Sequence, residues 1–378
     1  MIIGIDASNI SSGGGLTNII ELINSLDISG HHIEKIIIWS SASTIKKIPK
    51  KEFVLFRSPK MLNGNLLYRT LWQLLYLSKE ARNEKCKVLF IPGGSYFGNF
   101  KPFVTISQNL LPFERKEYTR YRWSIKYLKF IFLRFTQSLS FQRADGLIFL
   151  TEYAKEVIQN DINKIHGEVR IIPHGINTRF KSIPKTSKDI TVYSESLQFR
   201  LLYVSTVDEY KHQWKVIEAI NILRNDGFPL SLDLVGSYYK PALKKLDRAI
   251  EKYDPKSKWV NYHGLIDYHK LDLIYKSSDL GIFASSCENM PIILLEKMAS
   301  GLPIACSNLG PMQEVLNKGG LFFNPEDPND IAKVVKKYLE SSELRNKMSN
   351  ISHNLASKYS WSRCANDTFS FIIDIGNK

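Results

Sequence analysis

The chain has 378 residues, 44% hydrophobic and 23% charged, which is the composition of an ordinary globular protein and more chain than one domain usually holds. Its formal net charge of +14 implies attraction to something anionic, whether nucleic acid, an acidic membrane surface or a phosphorylated small molecule, without choosing among them. No basic stretch followed by an apolar run opens the chain, and no segment reaches about 18 uncharged apolar residues, so the expectation is a cytoplasmic protein without a membrane span.

In chain order, Ile2–Asp6 reads as a short apolar strand, followed by a glycine-rich loop ending in Gly13-Gly14-Gly15 and a helical pattern from Thr17 to Leu26. Further apolar runs at Lys35–Trp39, Val88–Pro92, Phe103–Ile106 and Gly146–Leu150 have the look of strands buried on both faces of a parallel sheet. The polar, proline-containing segment Lys181–Asp189 cannot bury a face of its own and marks a domain boundary. After it the pattern restarts, with strands expected at Arg200–Val204, Leu230–Gly236, Val260–Gly264, Leu280–Ala284 and Leu302–Cys306 and helices between them. The fold class that follows is α/β, with two doubly wound Rossmann-like domains facing a cleft. The expected division is 1–182, 183–360, and a C-terminal helix over 361–378 packing back toward the first domain. Cys86, Cys287, Cys306 and Cys364 form no CxxC pair and read as reduced, mostly buried thiols.

The segment from Ser285 to Pro303 is the richest in chemistry. A strand precedes it, Pro291 suits a first helical turn and Gly301 with Pro303 marks the stop, so a helix is expected from about 291 to 300. The backbone N–H groups of Met290 to Ile293 would then point at a ligand beyond the strand end, a site suited to phosphate or sugar hydroxyls. Glu288 falls on the loop and Glu296 on the helix, where an apolar surround makes a carboxylate costly unless it is hydrogen-bonded. Taken alone, two acids eight apart fit better as an ordinary loop acid, Glu288, and a solvent-facing stripe of Glu296 with Lys297.

The pattern of strand, E-x7-E, small-residue helix end and G-x-P from Glu288 to Pro303 resembles glycosyltransferase family 4. So do Tyr203–His212, Leu234-Val235-Gly236, His263-Gly264, Ser278–Phe283 and Pro311–Val315, and the similarity covers roughly residues 140 to 365. The resemblance implies a two-domain (GT-B) enzyme that transfers a hexose from a nucleoside-diphosphate sugar, with retention, to a glycan or lipid-linked acceptor in surface polysaccharide or lipopolysaccharide biosynthesis. It assigns the ribose to Glu296 and the sugar hydroxyls to Glu288. The diphosphate falls to Lys211 with Gly14, Gly15 and the 290–292 loop, so Glu288 and Lys211 are the catalytic candidates. Ser205, Gly236, Leu265, Asn289, Met290, Pro291 and Ile292 complete the donor-binding set. Thr206 stands where the family usually has an arginine, leaving one cation of a two-cation clamp. Gln108 and Asn109 stand where it commonly has a histidine; they can contact a sugar or the acceptor but cannot act as a general base.

No HExxH, P-loop, G-x-S-x-G or D-x-D sequence is present, so the expectation is transfer without a metal, with the nucleotide sugar as co-substrate and no resident cofactor. The stretch Arg120–Phe135 mixes positive charge with aromatics at helical spacing. It reads equally as a helix lying on an anionic membrane, which would place the chain peripherally on the inner face, and as one whose Ile125, Leu128 and Phe132 are core. Nucleic acid is not an expected partner, since no recognised binding module appears. The alternative to an enzyme is a non-catalytic nucleotide-sugar-binding or scaffold protein of a glycan assembly complex.

Overall fold

Short runs of isoleucine, valine, leucine and phenylalanine without alternation suit strands covered on both faces, and helical crossovers provide that cover. The computed structural model, which describes residues 1–162 and 164–378, builds two all-parallel sheets from such runs. One unit comprises Met1–Tyr118, Arg122–Gly175 and Tyr359–Lys378; the other comprises Thr119–Tyr121 and Ile176–Lys358.

In the first unit, β1 (Ile2–Asp6), β2 (Lys35–Trp39), β3 (Val54–Arg57), β4 (Val88–Ile91), β5 (Phe103–Ile106), β6 (Gly146–Phe149) and β7 (Glu168–Ile171) lie in the order β3-β2-β1-β4-β5-β6-β7. In the second, β8 (Phe199–Val204), β9 (Leu230–Val235), β10 (Val260–Tyr262), β11 (Leu280–Phe283), β12 (Ile304–Ser307) and β13 (Leu321–Phe323) lie in the order β10-β9-β8-β11-β12-β13. Both orders run outward from the first strand and then reverse, the doubly wound arrangement. The fold is the two-Rossmann-domain GT-B type that the sequence indicates.

Three strands lie outside the sequence expectation: β3, β7 and β13. All are sheet edges with half-exposed residues; Arg57 breaks the apolar character of β3, Glu168 and Arg170 that of β7, and β13 is apolar but only three residues long. The first helix, Gly13–Ser25, starts on the glycines rather than at Thr17. The second unit opens at Ile176, earlier than 183, because the polar segment is docked on it. Ser182 N–H donates to Ala299 O at 3.0 Å, Lys185 Nζ to Ser278 O at 3.2 Å and Ser187 N–H to Asn346 Oδ1 at 2.7 Å. The last helix, Trp361–Gly376, belongs to the first unit, where it packs on the helix Gly13–Ser25 and on β4, β5 and β6.

Candidate functional site

Where a parallel sheet reverses its winding, the loops leaving the two central strands diverge and open a crevice at their carboxyl ends. In the second sheet these loops follow β8 and β11. They carry Ser205, Thr206 and Lys211 on one side and Glu288 to Ile292 on the other, so residues far apart in sequence meet at one place. The loops are tied together: Ser286 N–H donates to Tyr210 O at 2.9 Å, and His212 Nε2 lies 3.0 Å from Ser286 Oγ. Tyr203, buried in β8, donates its hydroxyl to Lys211 O at 2.6 Å, and His212 turns the chain at φ 52° into the following helix.

Lys211 Nζ and Glu288 Oε1 form an ion pair with both side chains largely shielded from water. Thr206 points to Ser237, Oγ to Oγ 3.2 Å, and supplies no charge. Gly236 follows β9 at φ +149°, and a Cβ there would sit 2.1 Å from Ser205 O, so this turn requires glycine to let the adjacent strand ends close up. Leu265, after β10, is exposed.

The helix runs from Ile292 to Ala299 with Pro291 as its cap. Pro291 carries no N–H and the Ile292 N–H is taken by Met290 O at 3.0 Å, so the expected donors from Met290 to Ile293 reduce to those of Met290 and Ile293; a tight turn before the proline-capped helix uses the Ile292 group. Glu296 is 3% exposed and accepts hydrogen bonds from Tyr275 OH on Oε2 and Tyr268 OH on Oε1, each 3.0 Å. Burial pushes its carboxyl up to about 7, while Tyr275, Tyr268, Lys297 and Arg179 hold it down. The solvent-facing stripe is therefore corrected: Glu296 and Lys297 are both buried, Glu296 against Tyr268 and Tyr275 and Lys297 against Gly281 and Phe283 of the sheet. Sequence reading missed Tyr268, Tyr275 and Arg179, whose guanidinium lies 4.6 Å over the Tyr268 ring. The available signal was an apolar helix holding a carboxylate, which demands hydroxyl partners from elsewhere.

In the first unit the equivalent switch point lies between β1 and β4. Gly14 has open space around its Cα, and a Cβ on Gly15 would lie 3.8 Å from Gln108 Oε1. Gln108 Nε2 donates to Pro92 O at 3.2 Å and Asn18 Oδ1 at 3.4 Å, and Asn18 reaches His174 Nδ1 at 3.2 Å. Burial pushes His174 down to about 4. Asn109 closes its own turn, accepting from Leu111 N–H at 3.2 Å. Gly175 is structural: a Cβ there would meet Trp361 N at 2.1 Å, where two passages of chain cross.

The basic aromatic stretch divides. Thr119–Tyr121 clusters with the second unit, where Tyr121 OH donates to Asp208 Oδ1 at 2.7 Å, and a separate helix spans Ile125–Arg143. Ile125, Leu128 and Phe132 are not core: they are 88%, 66% and 59% exposed and continue through Phe135 and Leu139 as one stripe beside Trp123. The buried face instead holds Thr136, Gln137 and Ser140 with Phe130 and Phe141. A second helix, Leu66–Trp72, also exposes Leu66, Leu67 and Leu71. Gln73, the residue after it, donates from Nε2 to Ser95 O at 3.3 Å, and Ser95 Oγ lies 3.1 Å from Thr136 Oγ1 of the first helix. Among the described residues no helix is long and apolar enough to cross a membrane.

Comparison with known proteins matches residues 12–180 to the family described as Glycosyltransferase Family 4 and residues 191–354 to Glycosyl transferases group 1. The O-antigen chain mannosyltransferase B of Escherichia coli is 24% identical over 47% of this chain and 46% of its own. The O-antigen chain mannosyltransferase RfbU of Salmonella typhimurium is 20% identical over 64% of this chain and 65% of its own. The match to the first of these spans about half of that protein's length. A glycosyltransferase from Rickettsia africae superposes over 99% of this chain and 98% of its own with TM-score 0.71 at 16% identity. HepE of Anabaena in complex with UDP covers 99% of each chain with TM-score 0.69 at 14% identity. At these identities the superpositions speak for the fold.

Proposed function

The chain belongs to glycosyltransferase family 4, and from that premise we propose that it transfers a hexose from a nucleoside-diphosphate sugar to a hydroxyl of a glycan or lipid-linked acceptor. Retention of anomeric configuration, a role in surface polysaccharide or lipopolysaccharide assembly, and a cytoplasmic site of action complete the reading. The nucleotide sugar is the co-substrate, and the reading includes no metal and no resident cofactor. The observation that carries it is the switch point of the second sheet, which gathers Lys211, Glu288 and the buried Glu296 from separate elements.

Each residue then has a task suited to its chemistry. Lys211 neutralises the leaving diphosphate, whose charge develops in the transition state. Glu288 is held by Lys211 until the sugar hydroxyls offer it other donors. Glu296 takes the ribose hydroxyls when Tyr268, on the exposed side, gives up its bond; Tyr275 behind it stays. Gly14 and Gly15 let a backbone approach phosphate closely, and Gln108 offers a hydrogen bond and no proton abstraction. A lipid-linked acceptor and an anionic membrane surface fit the exposed stripe of the helix Ile125–Arg143. That helix contains Lys126, Lys129, Arg134 and Arg143 and no acidic residue.

Lys211→Ala and Glu296→Ala should each lower donor turnover by about 100-fold or more with unchanged circular dichroism, as loss of a charge-stabilising contact does. The measurement is nucleotide release from a panel of nucleotide sugars. Wild-type rates in both variants overturn the assignment.

A further inference from the structure

Lys297 is wholly buried and its Nζ meets no hydrogen-bond partner. Its surroundings are aromatic: the amine lies 5.1 Å from the Phe283 ring centroid and 5.7 Å from that of Tyr203. The chain makes room for it, since a Cβ on Gly281 of β11 would come within 3.1 Å of Lys297 Cδ. Lys211 Nζ lies 5.6 Å from the same Phe283 ring. Two amines thus share one ring, and only one of them has the Glu288 carboxylate.

The titratable groups facing Lys297 come from every neighbouring element. Lys211 follows β8, Glu288 follows β11, Cys306 lies on β12, Tyr203 on β8, and Glu296 precedes it on its own helix. Burial above all pushes the amine down to about 7; Glu296, Cys306 and Glu288 pull it up, and the charge of Lys211 adds to the depression. Negative charge arriving at Lys211 acts on this amine through a low-dielectric interior, where it is screened little.

We propose that Lys297 is a proton-uptake group beneath the diphosphate subsite: a nucleoside diphosphate arriving at Lys211 and Glu288 draws one proton from solvent onto Nζ, turning a neutral amine into the subsite's second cation. The inference rests on the reading of these loops as the donor site. It accounts for Thr206, since the cation missing from the surface loop is supplied from below. The only bond formed is N–H, and the proton comes from water or buffer. Lys297 is a positioning residue: it acts on the phosphates through Lys211 and Glu288.

Calorimetric titration of the full chain with UDP and with GDP, in buffers of low and high ionisation enthalpy, counts the protons taken up. At pH 8 uptake should approach about one proton per nucleotide bound, and at pH 6 it should fall toward zero because the amine is already charged. Lys297→Met should abolish the pH 8 uptake and weaken nucleotide binding roughly tenfold. If the methionine variant does not fold, Lys297→Arg, whose guanidinium is charged at both pH values, should bind nucleotide without uptake at pH 8. Nucleotide binding without uptake by the wild-type chain at pH 8, or uptake persisting in Lys297→Met or in Lys297→Arg, each overturns the inference alone. Binding of neither nucleotide overturns the donor-site reading together with it.

Discussion

Glu296 holds its proton more tightly in the folded chain than in the unfolded one, since burial lifts its carboxyl from 4.5 to about 7. The stabilisation from that proton is complete below pH 4.5 and is lost as pH rises through 7. At about 1.4 kcal/mol per pKa unit the ionised form costs the fold on the order of 3 kcal/mol. Lys297 works in the opposite sense: its folded value of about 7 lies below the ordinary 10.5, so its contribution is lost as pH falls through 7. Glu296→Gln, whose amide still satisfies both tyrosine hydroxyls, should therefore melt above wild type at pH 8.5 and close to it at pH 5. Thermal unfolding at the two pH values measures this, and a difference independent of pH would show that ionisation of Glu296 carries no such cost.

The helix Ile125–Arg143 turns its apolar stripe outward and its Thr136, Gln137 and Ser140 inward. Exposing so much contiguous apolar surface in water is unfavourable, and under the proposed membrane docking a lipid surface would relieve it while Lys126 and Lys129 would meet anionic headgroups. Binding to phosphatidylcholine vesicles containing phosphatidylglycerol should be measurable by flotation and weaken with salt. Leu128→Glu combined with Phe132→Glu should reduce it at least about tenfold; undiminished binding by the double variant refutes membrane docking. Periodicity made this helix legible but not which side faces inward, because both sides mix apolar and polar residues and the choice depends on what the 94–97 loop offers. The central strands were legible for the opposite reason, since β4 is apolar throughout and β2 is apolar after Lys35. The edges β3 and β7 were not, because half-buried strands admit arginine and glutamate, and β13 was not because it is only three residues long. At the site, Glu288, Glu296 and Lys211 stood out by spacing and resemblance. Tyr268 and Tyr275 did not, as only folding brings them to the carboxylate.

At the scale of the whole molecule, the repeated strand order explains why two loops distant in sequence converge on Lys211 and Glu288. The domain boundary was less legible than this topology. Polar composition located the linker, but the linker's own hydrogen bonds assign it to the second unit, from Ile176 onward. The first unit is also discontinuous, interrupted by residues 176–358 and completed by the helix Trp361–Gly376. Phe371 and Ile375 lie against Gly146 of β6, where a Cβ would come within 3.0 Å of either. A chain ending at Lys358 should leave that face bare, giving dye binding to exposed apolar surface and rapid proteolysis within residues 1–175. Native-like protease resistance there would contradict it. During synthesis the same constraint sets an order of events: the sheet made first waits, one face uncovered, while the whole second unit leaves the ribosome. A chaperone that shields apolar surface in the nascent chain therefore has its natural client interval between the emergence of β7 and that of the final helix.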